Sequence, residues 1–364
     1  MAVHKKYWVG FNLVRGIGPA RLRTLLEHFG NPERAWTASK ASLRAAGLGE
    51  KLAAEVVRLR SELDLDREWE RLERESVRTL TWQDEDYPRR LSEIDQPPPV
   101  LYLRGRLTDT DLWSVAVVGT RKLTAYGRQV TEKIAGFLAE NGVTIVSGLA
   151  RGVDTIAHRA AIRAGGRTIA VLGSGLDRVY PYENGGLAEE IVRRDLGAVV
   201  SDYPLGTPPE GPNFPPRNRI ISGLSLATVV VEAGLKSGAL ITARFAVDQG
   251  RDVLAVPGNI FGSQSAGTNR LIRDGAHPCL KPEDILDVLE WARAVQYPER
   301  VRPVPEDGLE RTLFDKLGRE ARHIDELSAE TGISISEISA ALTVMELKGL
   351  VEQIGGMNYV STGV

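Results

Sequence analysis

Glycine-rich turns carry the residues of this chain whose types and spacing could bind an anion. The first two turns, GTRK and SGLARGVD, contain the candidate ligands Gly119, Arg121, Lys122, Ser147, Gly148 and Arg151. A third turn is GSGLDRVYP, and the fourth, EAGLKSGALIT, contains the candidates Ser237, Gly238 and Thr242. Backbone N–H groups of such turns, with the dipole of a following helix, form a cradle for a phosphate. The pattern therefore predicts phosphate binding.

The stretch GPNFPPRNRIISGLS, at 211–225, carries a second group of candidate ligands. Its two prolines predict the start of a helix, and the candidates around that start are Phe214, Arg217, Asn218 and Arg219. Two guanidinium groups and an amide beside an aromatic ring suit a phosphate chain with a base stacked on the ring. Acidic residues are favoured at a helix start, so a bound anion would explain the arginines. The alternative is that the arginines bridge Asp202 or Glu210.

Six apolar segments alternate with helical patterns between positions 113 and 290. The predicted strands are Val115–Val118, Val143–Val146, Thr168–Leu172, Ala198–Ser201, Thr228–Glu232 and Val253–Val256. Helical patterns lie near 125–141, 154–165, 186–195, 215–223 and 239–249. Near-continuous apolar strands that are each followed by a helix predict an extended Rossmann-like, doubly wound and mostly parallel α/β sheet. Ligands of such sheets bind at the carboxyl ends of the strands, where the glycine turns converge.

The rest of the chain predicts two smaller modules on either side of the sheet. We expect a helical domain at 1–78, the α/β domain at 79–296, a proline-bearing linker at 297–309 and a winged-helix-like domain at 310–364. No internal repeat is evident. The segment LVRGIGPARLRTLLEHFG, near the N-terminus, is typical of a helix-hairpin-helix that binds the DNA backbone, with help from Arg15, Arg21 and Arg23. The alternative is a helical turn packed within a small domain.

The predicted recognition helix of the C-terminal module is acidic. It spans 336–348 and carries Glu337 and Glu346 against Lys348 alone. Readers of the major groove present arginine, lysine or amide side chains to the bases. We therefore expect this module to contact proteins rather than duplex DNA.

Composition and missing motifs exclude several classes of protein. The net charge of −2 gives no overall sign of a polyanion partner, so any such site must be a local cluster. No signal peptide or membrane-length apolar run occurs, which predicts a cytoplasmic protein. Cys279 is the only cysteine, and the histidines lack the spacing of a zinc site. Neither a P-loop nor the glycine fingerprint of NAD-binding folds occurs, so no cofactor and no metal is expected.

Six motifs in series resemble the signature of the DprA/Smf family, the bacterial DNA-processing proteins of natural transformation. They are VAVVGTRKLTAYG, SGLARGVDTIAH, VLGSGLDRVYP, NFPPRNRIISGLS, EAGLKSGALITA and GTNRLIRDGAHP, within positions 80 to 290. The resemblance implies binding of single-stranded DNA at the carboxyl edge of the sheet, loading of the RecA recombinase, and homodimerisation through the α/β domain. It also implies an N-terminal helical domain of sterile-alpha-motif type in many members. By this resemblance the candidate ligands above become DNA contacts.

An enzymatic alternative uses the same pocket. The glycine turns also resemble the lysine-decarboxylase-like or LOG group of nucleotide-processing hydrolases, which carry a glutamate after the motif PGGxGT. Here the corresponding segment, EAGLKSGALITA, has no carboxylate after the turn before Asp248, and Glu232 is the one arguable base. We therefore expect a protein that is not an enzyme, with the hydrolase as the alternative. A nucleotide-sensing module without catalytic activity remains a third possibility.

Overall fold

A computed structural model describes the chain in five segments, which are 2–296, 308–317, 322–348, 350–353 and 355–361. The chain divides into two compact units, Met1–Glu290 and Trp291–Val364. Most of the predicted linker at 297–309 lies outside the described residues.

The N-terminal segment is helical, as its sequence predicts. Its helices are α1 (Ala2–Leu13), α2 (Pro19–Phe29), α3 (Pro32–Thr37), α4 (Lys40–Ala45), α5 (Glu50–Glu62) and α6 (Leu65–Arg74). Trp8, Phe11 and Leu25 are buried in a core that also contains Val100 and Tyr102 of the central sheet. The helices therefore share a hydrophobic core with the sheet and lie within the same compact unit.

Two glycine turns in this segment repeat one another, a feature that the sequence analysis missed. Gly16 precedes α2 and Gly47 precedes α5, with positive φ angles of 101° and 94°. A Cβ at Gly16 would lie 3.5 Å from the side chain of Leu52, and one at Gly47 would lie 3.8 Å from that of Thr24. The Gly16 turn therefore packs near α5, and the Gly47 turn packs near α2. Arg21 Nη1 donates a hydrogen bond of 2.6 Å to the carbonyl oxygen of Gly16 and so braces the first turn.

The centre of the first unit is a nine-stranded sheet in the order β1-β2-β6-β5-β4-β3-β7-β8-β9. Its strands are β1 (Arg78–Thr81), β2 (Val100–Gly105), β3 (Ser114–Val118), β4 (Thr144–Ser147), β5 (Thr168–Val171), β6 (Gly197–Ser201), β7 (Ala227–Val230), β8 (Asp252–Ala255) and β9 (His277–Pro278). The pairings from β6 to β9 are parallel, and β2 is antiparallel to both β6 and β1. The mostly parallel α/β prediction is confirmed.

Helices cover both faces of this sheet, which explains its apolar strands. They are α7 (Arg89–Ser92), α8 (Ala125–Glu140), α9 (Val153–Arg163), α10 (Gly185–Arg193), α11 (Phe214–Leu224), α12 (Ala239–Asp248), α13 (Ala266–Arg273) and α14 (Glu283–Gln296). Apolar residues of α8, α9 and α14 pack on one face, and those of α7, α11 and α12 on the other. Ala116 of β3 pairs with Val146 of β4 on one side and with Thr228 of β7 on the other. The chain reverses its direction of winding between β3 and β7, which makes a crevice at their carboxyl ends.

The second unit has the winged-helix fold that its sequence predicts. Its elements are α15 (Leu309–Lys316), β10 (Arg322–His323), α16 (Ile324–Thr331), α17 (Ile335–Leu347), β11 (Val351–Gln353) and β12 (Asn358–Ser361). The strands form an antiparallel sheet in the order β10-β12-β11. Leu313, Leu327, Ile338, Leu342 and Tyr359 are buried in its core. No helix within the described parts of the chain is long and apolar enough to cross a membrane.

Candidate nucleic-acid interface

A small cavity of about 40 Å³ opens at the carboxyl ends of β3, β4 and β5. Its lining residues are Arg121, Gly148, Ala150, Arg151, Tyr180, Pro181, Phe214 and Arg217. Five of them, all except Ala150, Tyr180 and Pro181, are among the ligands that the sequence predicts. A water molecule needs about 10–15 Å³ of such space, so the cavity has room for roughly three water-sized groups.

Arg217 brings a buried positive charge to this cavity. Its side chain projects from the first turn of α11, and the residue is only 4% exposed. Nη1 donates hydrogen bonds to the carbonyl oxygens of Gly148 (3.0 Å) and Val171, and Nε donates to Asn218 Oδ1 (3.2 Å). Among the residues that the structure describes, no carboxylate lies within ion-pair distance of this guanidinium. Burial lowers the pKa of Arg217 to about 10, and the positive charge of Arg121 adds to this effect, while the carboxylates of Asp154 and Asp202 oppose it from beyond ion-pair distance.

Asp154 lies behind the cavity and occupies backbone donors that the sequence assigned to a ligand. Its Oδ2 accepts hydrogen bonds from the N–H groups of Gly148 (3.0 Å) and Ala150 (3.3 Å). Burial raises the pKa of Asp154, and the charge of Arg217 opposes that rise. A Cβ at Gly148 would lie 2.7 Å from Arg217 Nη2, so this position has room only for glycine. Gly148 therefore allows Arg217 to pack against the turn, while its N–H serves Asp154.

Two guanidinium groups lie near the ring of Phe214. The guanidinium carbon of Arg121 is 5.6 Å from the ring centroid, and that of Arg217 is 5.8 Å from it. The ring of Tyr180 is 5.8 Å away, at an interplanar angle of 41°. Arg121 is exposed to solvent, and Phe214 is half-buried, so both side chains are accessible. Cations beside an accessible aromatic ring are the combination by which proteins hold the phosphates and bases of single strands.

Arg151 completes the cationic rim, and it is paired with a residue that the sequence analysis did not select. Its Nε lies 2.5 Å from Glu183 Oε1, and both side chains are more than half exposed. The pair raises the pKa of Arg151 and lowers the pKa of Glu183. Because water reaches both groups, a phosphate can replace the carboxylate at this guanidinium.

Three predicted ligands of the first two turns do not line the cavity. A Cβ at Gly119 would lie 2.4 Å from the side chain of Val153, so this glycine allows α9 to approach the end of β3. Ser147 is buried, and its hydroxyl donates to the carbonyl oxygen of Val117 at 2.7 Å. Lys122 is exposed on the turn that carries Arg121. Gly119 and Ser147 thus shape the turns, and a ligand role for all three stays a prediction.

Four further predicted ligands meet on the β7 side of the crevice, also outside the cavity lining. Asn218 Nδ2 donates to the carbonyl oxygen of Gly238 at 3.3 Å, which joins α11 to the turn before α12. Ser237 Oγ accepts from the N–H of Ala239 at 3.3 Å, and Thr242 is buried. DNA contacts at Ser237, Gly238, Thr242 and Asn218 remain a prediction.

Arg219 lies in a different environment from Arg217, although both are on α11. Its Nη2 is 2.8 Å from Asp202 Oδ2, and each of these two side chains is only 12% exposed. Its Nε donates to the carbonyl oxygen of Gln96 (2.9 Å), and its Nη1 donates to that of Pro216 (2.8 Å). The structure therefore places Arg219 in the ion pair with Asp202 that the sequence analysis left as the alternative.

Sequence reasoning missed several residues that position the site. Gly152 has a φ of 86°, and a Cβ there would lie 2.2 Å from the carbonyl oxygen of Thr120, so this glycine holds the second turn against the first. Tyr180 and Pro181 line the cavity from the third turn. The motif strings SGLARGVD and GSGLDRVYP contain these residues, and the aromatic–proline pair that ends the latter was the available signal.

Glu232, the one arguable base of the hydrolase alternative, is occupied elsewhere. It is buried, and its carboxylate accepts hydrogen bonds from the N–H (3.0 Å) and the hydroxyl (2.5 Å) of Thr124, at the start of α8. A Cβ at Gly127 would lie 2.2 Å from Glu232 Oε2, so α8 packs directly on this carboxylate. Its position is that of a structural cap. Among the described residues, no group of three or more His, Cys, Asp and Glu side chains could hold a metal.

Comparison with known proteins identifies relatives over nearly the whole chain. The protein called Smf of Synechocystis sp. is 38% identical, covering 97% of this chain and 98% of that protein. The DNA processing protein DprA of Bacillus subtilis is 42% identical, covering 62% of this chain and 75% of that protein.

Two solved structures share the fold. The DNA processing protein A of Streptococcus pneumoniae has a TM-score of 0.68 at 35% identity, covering 78% of this chain and 97% of that one. The DNA processing protein A of Helicobacter pylori, whose structure is described as showing its single-stranded DNA binding mode, has a TM-score of 0.52 at 32% identity, covering 59% and 96%. The family model for the DNA recombination-mediator protein A matches residues 78–290, and that for the DprA winged helix domain matches 298–357. This chain therefore belongs to the DNA recombination-mediator protein A family, the DprA/Smf family whose signature its glycine turns resemble.

Proposed function

We propose that this chain binds single-stranded DNA at the carboxyl edge of its central sheet, with a backbone phosphate in the cavity and a base on Phe214. The observation that carries the proposal is the buried guanidinium of Arg217, which has no carboxylate within ion-pair distance among the described residues. A buried charge of this kind is costly unless a counter-charge reaches it. Asp154 attracts this guanidinium from beyond ion-pair distance, and the cavity beside it adds Arg121 and Arg151, so an anionic ligand would balance the excess of positive charge.

Single-stranded DNA fits this site better than a duplex does. The ring of Phe214 can stack only on a base whose face is free, and in a duplex the neighbouring base pairs cover both faces. Arginine side chains contact the backbone, which every sequence shares, so binding should tolerate any sequence. The relative from Helicobacter pylori is described as binding single-stranded DNA, which supports the same ligand here.

The proposal extends to the role that the family resemblance implies. The bound strand would be protected and passed to the RecA recombinase in natural transformation or recombination, by a cytoplasmic homodimer without catalytic activity. Membership of the family supports this role. The absence of turnover is supported by Glu232, whose carboxylate is occupied by Thr124. The test is RecA filament formation on single strands coated with a single-strand binding protein, with and without this chain.

The binding step is tested by fluorescence anisotropy of a labelled single strand across a salt series. Arg121→Ala should weaken binding about tenfold and should make the dependence of log K on log salt shallower by about 0.7, the value for one phosphate contact. Arg106→Ala is the control, because Arg106 is also exposed but lies beside Gly197 at the amino end of β6, where it is ion-paired with Asp195. Its affinity should equal that of the wild type.

Three outcomes would contradict the proposal. The first is equal affinity for a duplex and a single strand of the same length. The second is an equal loss of affinity in Arg121→Ala and Arg106→Ala, which would indicate unspecific attraction. The third is displacement of the labelled strand by AMP at a concentration no higher than that of the oligonucleotide, which would make the cavity a nucleotide site.

A further inference from the structure

Tyr182 presents an almost fully exposed aromatic ring at the rim of the cavity. The residue is 81% exposed, within the short 3-10 turn Tyr182–Asn184 that follows β5. Aromatic side chains have a large apolar surface and normally bury much of it. Among the described residues, the ring of Tyr182 contacts no other aromatic ring and no cation. The fold leaves this ring in solvent and gives it no evident structural task.

The residues on both sides of Tyr182 contact the site. Pro181, which precedes it, lines the cavity, and Glu183, which follows it, is paired with Arg151 of the rim. Asn184 is buried, and its Nδ2 donates a hydrogen bond of 2.8 Å to the carbonyl oxygen of Leu149. The buried side chain of Asn184 therefore anchors the backbone that carries Tyr182 beside the cavity.

We propose that Tyr182 stacks on a base of the bound single strand, next to the base that contacts Phe214. This inference rests on the proposed function. Tyr182 is two residues from Tyr180, so their Cα atoms are at most about 7 Å apart. The ring of Tyr180 is in turn 5.8 Å from that of Phe214, which places the backbone of Tyr182 beside this ring pair.

The charges around Tyr182 indicate which part of the strand reaches it. Arg121 and Arg151 attract the phosphates to the rim. The bases are then the part of the strand that can stack on the uncharged ring of Tyr182, and any base can do so because each has a π face. Tyr182 therefore adds affinity that depends on bases and is independent of sequence.

The experiment compares two ligands of equal length, oligo(dT) and an oligomer of abasic deoxyribose phosphate, by fluorescence anisotropy. Tyr182→Ala should weaken binding of oligo(dT) about fivefold or more, as expected for the loss of one stacked base. It should leave binding of the abasic oligomer and the salt dependence unchanged, because no phosphate contact is lost. Tyr182→Trp should retain the wild-type affinity for oligo(dT). Val247→Ala is the control, because Val247 is an apolar residue 64% exposed near the C-terminal end of α12, at the opposite edge of the sheet, and its affinity should not change.

Several results would overturn the inference without touching the proposed function. One is an unchanged affinity of Tyr182→Ala for oligo(dT) while Arg121→Ala still weakens it. Another is an equal loss on both ligands, which would make the residue a support for the loop. A third is a loss of RecA filament formation without a loss of DNA affinity, which would indicate a docking surface for protein. If the wild type does not prefer single strands, the proposed function itself fails. The melting temperature of Tyr182→Ala should match that of the wild type, because the ring is exposed.

Discussion

Arg219 allows a sharp test of whether a residue binds DNA or stabilises the fold. Its sequence context predicts a DNA ligand, whereas its position in the structure indicates a stabilising ion pair. Arg219→Met keeps the apolar stem and removes the guanidinium. The substitution abolishes three hydrogen bonds, to Asp202 Oδ2 and to the carbonyl oxygens of Gln96 and Pro216. It also isolates Asp202, whose Oδ1 already has no hydrogen-bond partner within the described chain. We expect a loss of stability with no change in DNA affinity.

The magnitude follows from the burial of the pair. Removing one partner of a buried ion pair typically costs 3–5 kcal/mol, and with each side chain 12% exposed we take the lower end, about 3 kcal/mol. That cost corresponds to a fall in melting temperature of about 6–12 °C for a domain of this size. Asp202→Asn combined with Arg219→Met removes the isolated charge and should restore at least half of the loss.

The assays are thermal unfolding and anisotropy with a labelled single strand, at a temperature where each variant is folded. Arg106→Met is the control for an exposed pair, since Arg106 and Asp195 are both more than half exposed, and its melting temperature should stay within about 2 °C of the wild type. A melting temperature unchanged in Arg219→Met, together with weaker DNA binding and a shallower salt dependence, would refute the reasoning and make Arg219 a DNA ligand.

Three further predictions concern the site and its support. Glu183→Gln removes the carboxylate that is paired with Arg151, so affinity for single strands should rise about two- to fivefold in the anisotropy assay. A lower affinity would contradict this prediction. Gly152→Ala should reduce both melting temperature and DNA affinity, because its Cβ would clash with the turn of Arg121. Gly165→Ala, where φ is 74° and the space is open, should reduce stability alone. Burial lowers the pKa of His158 to about 3, so below about pH 6.5 the unfolded chain binds a proton there that the folded chain does not. The unfolding free energy of the wild type, measured by urea titration, should therefore fall as the pH is lowered from about 6 to 4. In His158→Asn this fall should be smaller by up to 1.4 kcal/mol per pH unit. An equal fall in both proteins would show that His158 does not cause the loss of stability.

Much of the fold could be predicted because its signals are local. The six apolar strands and the helices between them were predicted within a few residues, since buried parallel strands require near-continuous apolar segments. The cavity could be placed at one edge because parallel strands all end there, which brings their glycine turns together. Arg121 and Arg151 were selected on this basis, Phe214 was selected from the stretch 211–225, and all three line the cavity. The repeated turns at Gly16 and Gly47 were missed because a three-residue similarity is weak evidence without its packing.

The roles of the two α11 arginines could not be predicted, because their partners come from distant parts of the chain. Positions 217 and 219 differ by about 200° around the helix, so Arg217 and Arg219 point in different directions. The neighbours of Arg219 are Asp202 and Gln96, and no local pattern brings them together.

The sequence by itself determined the architecture and the types of group available for binding: a parallel sheet, glycine turns at one edge, and cations with an aromatic ring beside them. These depend on the periodicity of apolar residues and on the conformational freedom of glycine, which are properties of short segments. Only the tertiary structure decided which cations line the cavity, because charge pairing depends on distances between segments far apart in the chain. It left Arg217 at the cavity without a carboxylate partner within ion-pair distance among the described residues, and it paired Arg219 with Asp202.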